Sequence, residues 1–249
     1  MLFHLFKQKE VVELEKPNYR PFAPLIPDEM IQRAERLGAA LLADGMIGMG
    51  IPFEGCMDAQ ISPVHDSMRI VGTAYTVSTA SGDNLPIHLA IYSGKEGYVL
   101  IIDGKGHADH PYLGELMTSA TKAVGLKGIV LDGLVRDKQA LIELGLPVFA
   151  KGFMPRGPIK KEPGEINTAI SCGGVTVHPG DLIVGDADGV VVVPRDRIEA
   201  VIEASEKKLD YEEKRKITIA EYEKKRKQGM DPGELAPQWV KDKSTEFGL

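Results

Sequence analysis

Three side chains near the middle of the chain have the types and spacing for chemistry on an anion: Glu115, then Arg136 and Asp137 after twenty intervening residues. An adjacent Arg-Asp pair sets a fixed cationic fork beside a carboxylate, and carboxylates bind hard cations or move protons. The elements between them are of the kind that gathers all three. Gly114 and Glu115 open a stretch with apolar residues at Leu116, Ala120, Ala123 and Val124, a helical spacing that Gly125 stops. Gly128-Ile129-Val130-Leu131 reads as a short buried strand, and Asp132-Gly133 as a turn leading to Arg136-Asp137. In α/β proteins ligands bind where strands end and helices begin, because unpaired N–H groups and the helix dipole point there. The expectation is that Glu115 and Arg136-Asp137 converge on one anion.

The flanking sequence continues an α/β pattern. Asp28 reads as the N-cap of a packing helix with Ile31, Ala34, Leu37, Leu41 and Leu42 on one face. Residues 69–78 read as a strand and 85–91 as a helix; Asp83-Asn84 between them reads first as a helix cap and second as a polar pair aimed into a pocket. GYVLIIDGKG is a further buried strand, closed by Asp103-Gly104 and followed by a loop, GKGHADHPY. His107, Asp109 and His110 invite a metal reading there, but zinc usually takes more ligands on regular structure, so a mobile loop beside the pocket is the plainer expectation. Residues 147–150, 175–177, 181–184 and 190–193 read as short strands, with Asp186-Ala187-Asp188-Gly189 as a tight turn. Arg156, Lys160 and Lys161 read as solvated cations, the other reading being contact with a distal substrate carboxylate. Beyond Arg195, Ile198, Val201, Ile202 and Leu209 give a helical face that runs into a stretch charged throughout, one long helix or two. The chain thus divides into a proline-bearing arm (1–26), a body (27–205) and a charged helical extension (206–249).

Composition narrows the function classes. A chain of 249 residues with 43% hydrophobic content buries a full core. Its net charge of −6 gives no electrostatic case for nucleic-acid binding. Cys56 and Cys172 lack any paired spacing, which argues against a zinc knuckle or disulfide framework and fits the cytoplasm. Cys56 reads as a small buried apolar residue and His65 as a loop histidine. The glycine cluster at 46–55 lacks the Lys-Ser/Thr of a phosphate-binding P-loop. Lys105, Lys122 and Lys127 look solvated, so no Schiff-base amine is evident. No signal peptide or membrane-length apolar run is seen, and a soluble protein is expected.

GELMTSATKAVGLKGIVLDGLVRD resembles the signature region of the RraA-like family, which includes 4-hydroxy-4-methyl-2-oxoglutarate/4-carboxy-4-hydroxy-2-oxoadipate aldolases and the regulator of ribonuclease E activity A. SGDNLPIHLAI, LGLPVFAKGFMPRG and INTAISCGGVTVHPGDLIVGDADGVVVVP are similar to the family in order and spacing, so the resemblance covers roughly residues 30–205. The family marker is an acidic residue, twenty residues, then Arg-Asp. Glu115 departs from the Asp of the best-described aldolases, which changes its reach to metal-bound water. The resemblance implies a swivelling β/β/α sandwich with a helical C-terminal extension, assembled as a homotrimer or a dimer of trimers. It implies a magnesium or manganese ion held by Asp137, which suits a hard ion that keeps several waters. The substrate would be a 2-oxo acid, releasing pyruvate by aldol cleavage or decarboxylation through an enolate. Arg136 would meet the enolate oxygen, Glu115 would serve the alcohol proton, and the N–H groups of Gly114, Glu115, Leu116 and Met117 would hold the substrate carboxylate. Glu212 or Glu213 would reach a neighbouring subunit's site. The alternative implied by the same family is a non-catalytic, protein-binding regulator of a ribonuclease.

Overall fold

Neighbouring residues on the long strands point to different cores, and this alternation sets the layers of the molecule. The computed structural model describes residues 18–50 and 55–248. In chain order they form β1 (Asn18–Tyr19), α1 (Asp28–Gly48), β2 (Ser62–Pro63), β3 (Ile70–Ser78), α2 (Leu85–Ser93), β4 (Tyr98–Leu113), α3 (Glu115–Ala123), β5 (Gly128–Val135), α4 (Lys138–Leu144), β6 (Val148–Ala150) and β7 (Gly152–Phe153). There follow β8 (Glu165–Ile166), β9 (Ile170–Cys172), β10 (Val175–Val177), β11 (Leu182–Asp186), β12 (Gly189–Val193), a short 3-10 turn, α5 (Ile198–Lys227) and α6 (Gln238–Glu246). Strands β3, β4, β5 and β6 run parallel, while β11 pairs antiparallel with β3 and carries β12 as a hairpin.

On β4, Leu100 and Ile102 face one core with Ile87 and Ile91 of α2 and Met117 of α3, whereas Val99 and Ile101 face a second core with Cys172, Val177 and Ile183. On β12 the same period of two sends Val190 and Val192 into the second core and Val191 and Val193 into a third, beneath α1 and α5. The result is a mixed α/β fold in which two sheet layers are covered by helices. Its central parallel strands lead directly into α3 and α4.

Several local expectations are corrected. Asp103-Gly104 and Asp132-Gly133 are not turns: β4 and β5 run through them and keep pairing, at His107↔Gly133, Pro111↔Leu134 and Leu113↔Val135, across register shifts. The glycines mark a close approach, because a Cβ on Gly133 would sit 2.6 Å from the Tyr112 ring. Lys105 and Gly106, both with φ near +60°, form the bulge, so GKGHADHPY is extended strand rather than loop. Helix α1 is capped by Pro27, not Asp28, and breaks at Gly38 (φ 73°), where Asp186 Oδ2 takes the Ala39 N–H at 2.8 Å. The buried face of α3 is Met117, Thr118 and Thr121, while Leu116 is 81% exposed. The threonines are buried without loss because their hydroxyls donate to the carbonyls of Gly114 and Met117.

Of the N-terminal arm, residues 18–26 lie on the body: Phe22 packs on Tyr75 and Tyr98, and β1 pairs with β8. Residues 1–17 and part of the 46–55 glycine cluster lie outside the described residues. The charged extension continues α5, a single 30-residue helix whose buried first turns at Ile198, Val201 and Ile202 belong to the body, and then forms α6. No helix among the described residues is long and apolar enough to cross a membrane.

Candidate active site

The exits of β4 and β5 are stitched together, with Arg136 N–H donating to Leu113 O at 3.0 Å, and this sets residue 114 against residues 136 and 137. Gly114 is required there: its φ of −152° is ordinary extended backbone, but a Cβ would lie 2.3 Å from Asp137 Oδ2 and 2.7 Å from Arg136 Cγ. The missing side chain lets the start of α3 close on the carboxylate. Asp137 Oδ2 accepts the Glu115 N–H at 3.0 Å and lies 3.5 Å from Arg136 Nε. Asp137 itself is left-handed (φ 59°, ψ 41°), a conformation Asp tolerates better than most residues, and it leads into α4. Both side chains stay about 40% exposed. The first helical bond of α3 runs from Thr118 N to Gly114 O, so the Leu116 and Met117 N–H groups have no acceptor among the described residues. The Glu115 N–H, expected to meet a ligand, is instead taken by Asp137; the Glu115 side chain is exposed.

Beside these groups lies a cavity of about 210 Å³ lined by Asn84, His88, Tyr112, Gly114, Leu116, Met117, Arg136, Pro158 and Lys160. Asp83 and Asn84 divide the two roles expected of the pair. Asp83 is structural: Oδ1 accepts Leu85 N–H, and Oδ2 accepts Lys161 N–H at 2.7 Å and Glu162 N–H at 2.9 Å, pinning the segment that carries Lys160. Asn84 lines the cavity, its Nδ2 donating to Tyr112 O at 2.8 Å. The buried Tyr112 hydroxyl accepts from Gly82 N–H and donates to Gly104 O, and burial pushes its pKa up to about 12, so it stays protonated. His88 was not among the expected residues, although its place four residues after Asn84 on α2 puts both on one helix face. Burial, then the Lys160 ammonium, hold His88 below its ordinary pKa.

Other expected groups fall elsewhere. Cys56 is exposed, not buried, because its bridge to Val191 turns Met57 inward instead. Desolvation raises its thiol pKa, the wrong direction for a nucleophile. His107 Nε2 and His110 Nδ1 lie 3.2 Å apart with rings 4° from parallel, so they bond each other, and no metal-binding trio of His, Cys, Asp or Glu occurs among the described residues. Lys122 donates to Leu144 O and Arg156 to Asp109 O. A second cleft of about 640 Å³ is lined by His178, Asp181 and Arg195, but Asp181 is saturated by the His178 and Arg195 N–H groups, and the Arg195 guanidinium by the carbonyls of Pro24 and Gly180.

An Arg-Asp pair closed against a helix N-terminus, beside a cavity lined by Arg136, His88 and Lys160, gathers the backbone donors and cations that suit a small anion. The chain belongs to the RraA-like family, whose model, described as Aldolase/RraA, matches residues 39–192. It is 40% identical over 165 residues, 66% of this chain and 79% of the relative, to a Halalkalibacterium halodurans protein named "Putative 4-hydroxy-4-methyl-2-oxoglutarate aldolase". Among solved structures it is similar to an uncharacterized protein from Pseudomonas syringae pv. tomato (TM-score 0.70, 27% identity, covering 83% of this chain and 94% of the other). It is also similar to Streptomyces coelicolor RraAS2, described as an unusual member of the RNase ES inhibitor RraA protein family (TM-score 0.70, 25% identity, 77% and 97% covered).

Proposed function

We propose that this protein is a divalent-metal-dependent lyase that cleaves 2-oxo acids to release pyruvate, acting on 4-hydroxy-4-methyl-2-oxoglutarate-like substrates or on oxaloacetate. The observation that carries the reading is the closure of Gly114 on Asp137 and Arg136, which sets the Asp137 carboxylate against the start of α3, beside a cavity lined by Arg136, Leu116 and Met117. The donor set fits magnesium or manganese: Asp137 is a half-exposed hard-oxygen ligand, Glu115 adjoins it, and an ion that keeps most of its waters needs no larger protein cage. Such an ion, when bound, supplies polarisation of the keto oxygen and compensation of enolate charge.

The remaining work falls to the chain. The Leu116 and Met117 N–H groups hold the substrate carboxylate, with the start of α3 favouring negative charge. Glu115 takes the proton of the C4 alcohol. The C3–C4 bond then breaks, its electron pair passes into the enolate of pyruvate, and a proton returns to C3. Arg136 holds the enolate oxygen as its charge grows. With oxaloacetate the same bond breaks with loss of carbon dioxide and needs no alcohol proton. We read the assembly as a homotrimer or dimer of trimers in which Glu212 or Glu213 of a neighbour adjoins the site; on α5 Glu213 is exposed and Glu212 half-buried.

The test is pyruvate release from 4-hydroxy-4-methyl-2-oxoglutarate and from oxaloacetate, with magnesium or manganese and again with chelator. Chelator-sensitive release from either supports the reading; metal-independent release, or none from folded protein, refutes it. The likeness to RraAS2 favours a second reading, a protein-binding regulator of a ribonuclease. Capture of a ribonuclease at physiological salt, without turnover of any 2-oxo acid, would select it.

A further inference from the structure

We propose that His107 and His110 form a second metal site, for one borderline divalent cation of the nickel, copper or zinc kind. It is distinct in place and in ligand chemistry from the oxygen site proposed at Asp137.

On a flat strand, side chains three residues apart point to opposite faces, because the period is two. In β4 a bulge brings these two rings together: Lys105 and Gly106 both have φ near +60°, and the ladder to β5 shifts register between His107 and Pro111. His107 Nε2 lies 3.2 Å from His110 Nδ1, the ring planes differ by 4° and the centroids are 5.5 Å apart, so the rings meet end to end through these nitrogens. Two nitrogens about 2.0–2.1 Å from one zinc ion stand about 3.3 Å apart at a tetrahedral angle and about 2.9 Å apart at a right angle. The observed gap lies between these values, so turning the rings, without moving the backbone, aims both lone pairs at one ion. The proton of the shared N–H···N bond moves to the outer nitrogen of its own ring, which frees both facing nitrogens while each imidazole stays neutral.

The surroundings hold the rings and leave room beside them. Tyr112 meets the His107 ring edge-on, at 77°. Gly82 (φ 75°) lies against both: a Cβ there would stand 3.0 Å from His107 Nε2 and 3.2 Å from His110 Nδ1, so its missing side chain makes a cradle at the ligand atoms. Arg156 donates to the Asp109 carbonyl at 3.2 Å, and Asp109, exposed between the histidines, adds negative charge to this stretch. With two protein ligands the rest of the shell is water, so the ion binds less tightly than in a closed structural site. Imidazole suits nickel, copper and zinc, whereas carboxylate and water suit magnesium, so the two sites sort ions by donor type. Gly82 also donates to the Tyr112 hydroxyl and accepts the Ile159 N–H at 2.8 Å, which places the second site on the turn that carries the cavity wall.

The test titrates zinc calorimetrically into the full, tag-free chain at pH 7.5, with excess magnesium to occupy oxygen ligands, and follows the imidazole nitrogens by NMR. Zinc is expected to shift the signals of His107 Nε2 and His110 Nδ1 and to leave those of the other histidines in place. His107→Ala and His110→Ala each weaken zinc binding by roughly tenfold or more, since loss of a mere supporting residue already costs about that much. Asp137→Ala leaves zinc affinity as it was. Absence of zinc uptake, shifts at other histidines instead, or an affinity that neither histidine substitution lowers would overturn the proposal. The NMR reading is made on the unsubstituted chain, so it decides the matter even where an alanine variant fails to fold. No step uses pyruvate release, so this site and the lyase reading stand or fall separately.

Discussion

Asp132, inside β5, and Asp137, two residues past its end, stand five residues apart but differ sharply in burial. Asp132 has its side chain 12% exposed, with Oδ1 2.7 Å from Lys151 Nζ and Oδ2 accepting the Gly173 N–H at 3.0 Å. Lys151 in turn reaches Asp58 at 3.3 Å; burial lowers its pKa, but the two carboxylates outweigh that and hold it above the ordinary value. Asp137 is 40% exposed and has one backbone donor and a flanking guanidinium. Each carboxylate thus meets one cation and one backbone donor; the first is shut away from solvent, and the second stays open to it. A buried ion network serves the fold, because removing one member strands another, whereas an exposed carboxylate beside a cavity leaves room for a ligand to add interactions.

The largest expected effects divide along this line. Asp137→Ala lowers pyruvate release by at least about a hundredfold while leaving the thermal midpoint nearly unchanged. Asp132→Ala does the reverse, destabilising by about 3 kcal/mol as Lys151 loses its closest partner, with turnover per folded molecule largely kept. Urea unfolding and steady-state assays on both variants check this; matched losses of activity and stability in both would erase the distinction. Two glycines sharpen it. Gly114→Ala drives a Cβ at Asp137 and is expected to cost roughly tenfold to a hundredfold in kcat with little stability. Gly104→Ala drives one to 2.5 Å from Asp132 O and is expected to cost roughly 2 kcal/mol of stability. Arg136→Lys keeps the charge but loses the planar fork, for about a tenfold loss in kcat/KM.

The Arg-Asp edge of the candidate site is more legible in the sequence than the cavity behind it, for a physical reason. Gly114, Glu115, Arg136 and Asp137 are brought together by one strand–helix–strand unit, and the periodicity of 113–135 makes that unit readable. The cavity wall depends on contacts with no local signature: Asp83 pins residues 161 and 162, nearly eighty positions away, and with the bonds between Ile159 and residues 82 and 84 it brings Lys160 beside His88. The bulge at Lys105-Gly106 is hidden in the sequence because Asp-Gly usually signals a turn, whereas here the glycines make room for the Tyr112 ring. Met117, Thr118 and Thr121 were hidden as a buried face because threonine counts as polar until its hydroxyl is seen bonding within the helix.

The smallest predicted effect probes the cavity wall through pH, where the free and liganded protein should respond in opposite senses. His88 titrates lower in the folded protein than its ordinary 6.5, through burial and then the Lys160 charge. The unfolded chain therefore binds more protons just below pH 6.5, and the contribution of His88 to stability, present above that value, is lost as pH falls toward its folded pKa. A dicarboxylate in the cavity brings negative charge that raises the pKa of His88, so binding takes up a proton and tightens over the same fall. Thermal midpoints and dissociation constants for 2-oxoglutarate, measured from pH 7.5 to 5.5, should show stability declining while affinity rises by a few fold. His88→Gln should flatten both trends, and Lys160→Met should move the stability decline to higher occupancy of protonated His88 at a given pH, reducing its size. Affinity that stays constant across this range in the native sequence would remove His88 from the anion-binding wall and leave Arg136 to attract the ligand without it.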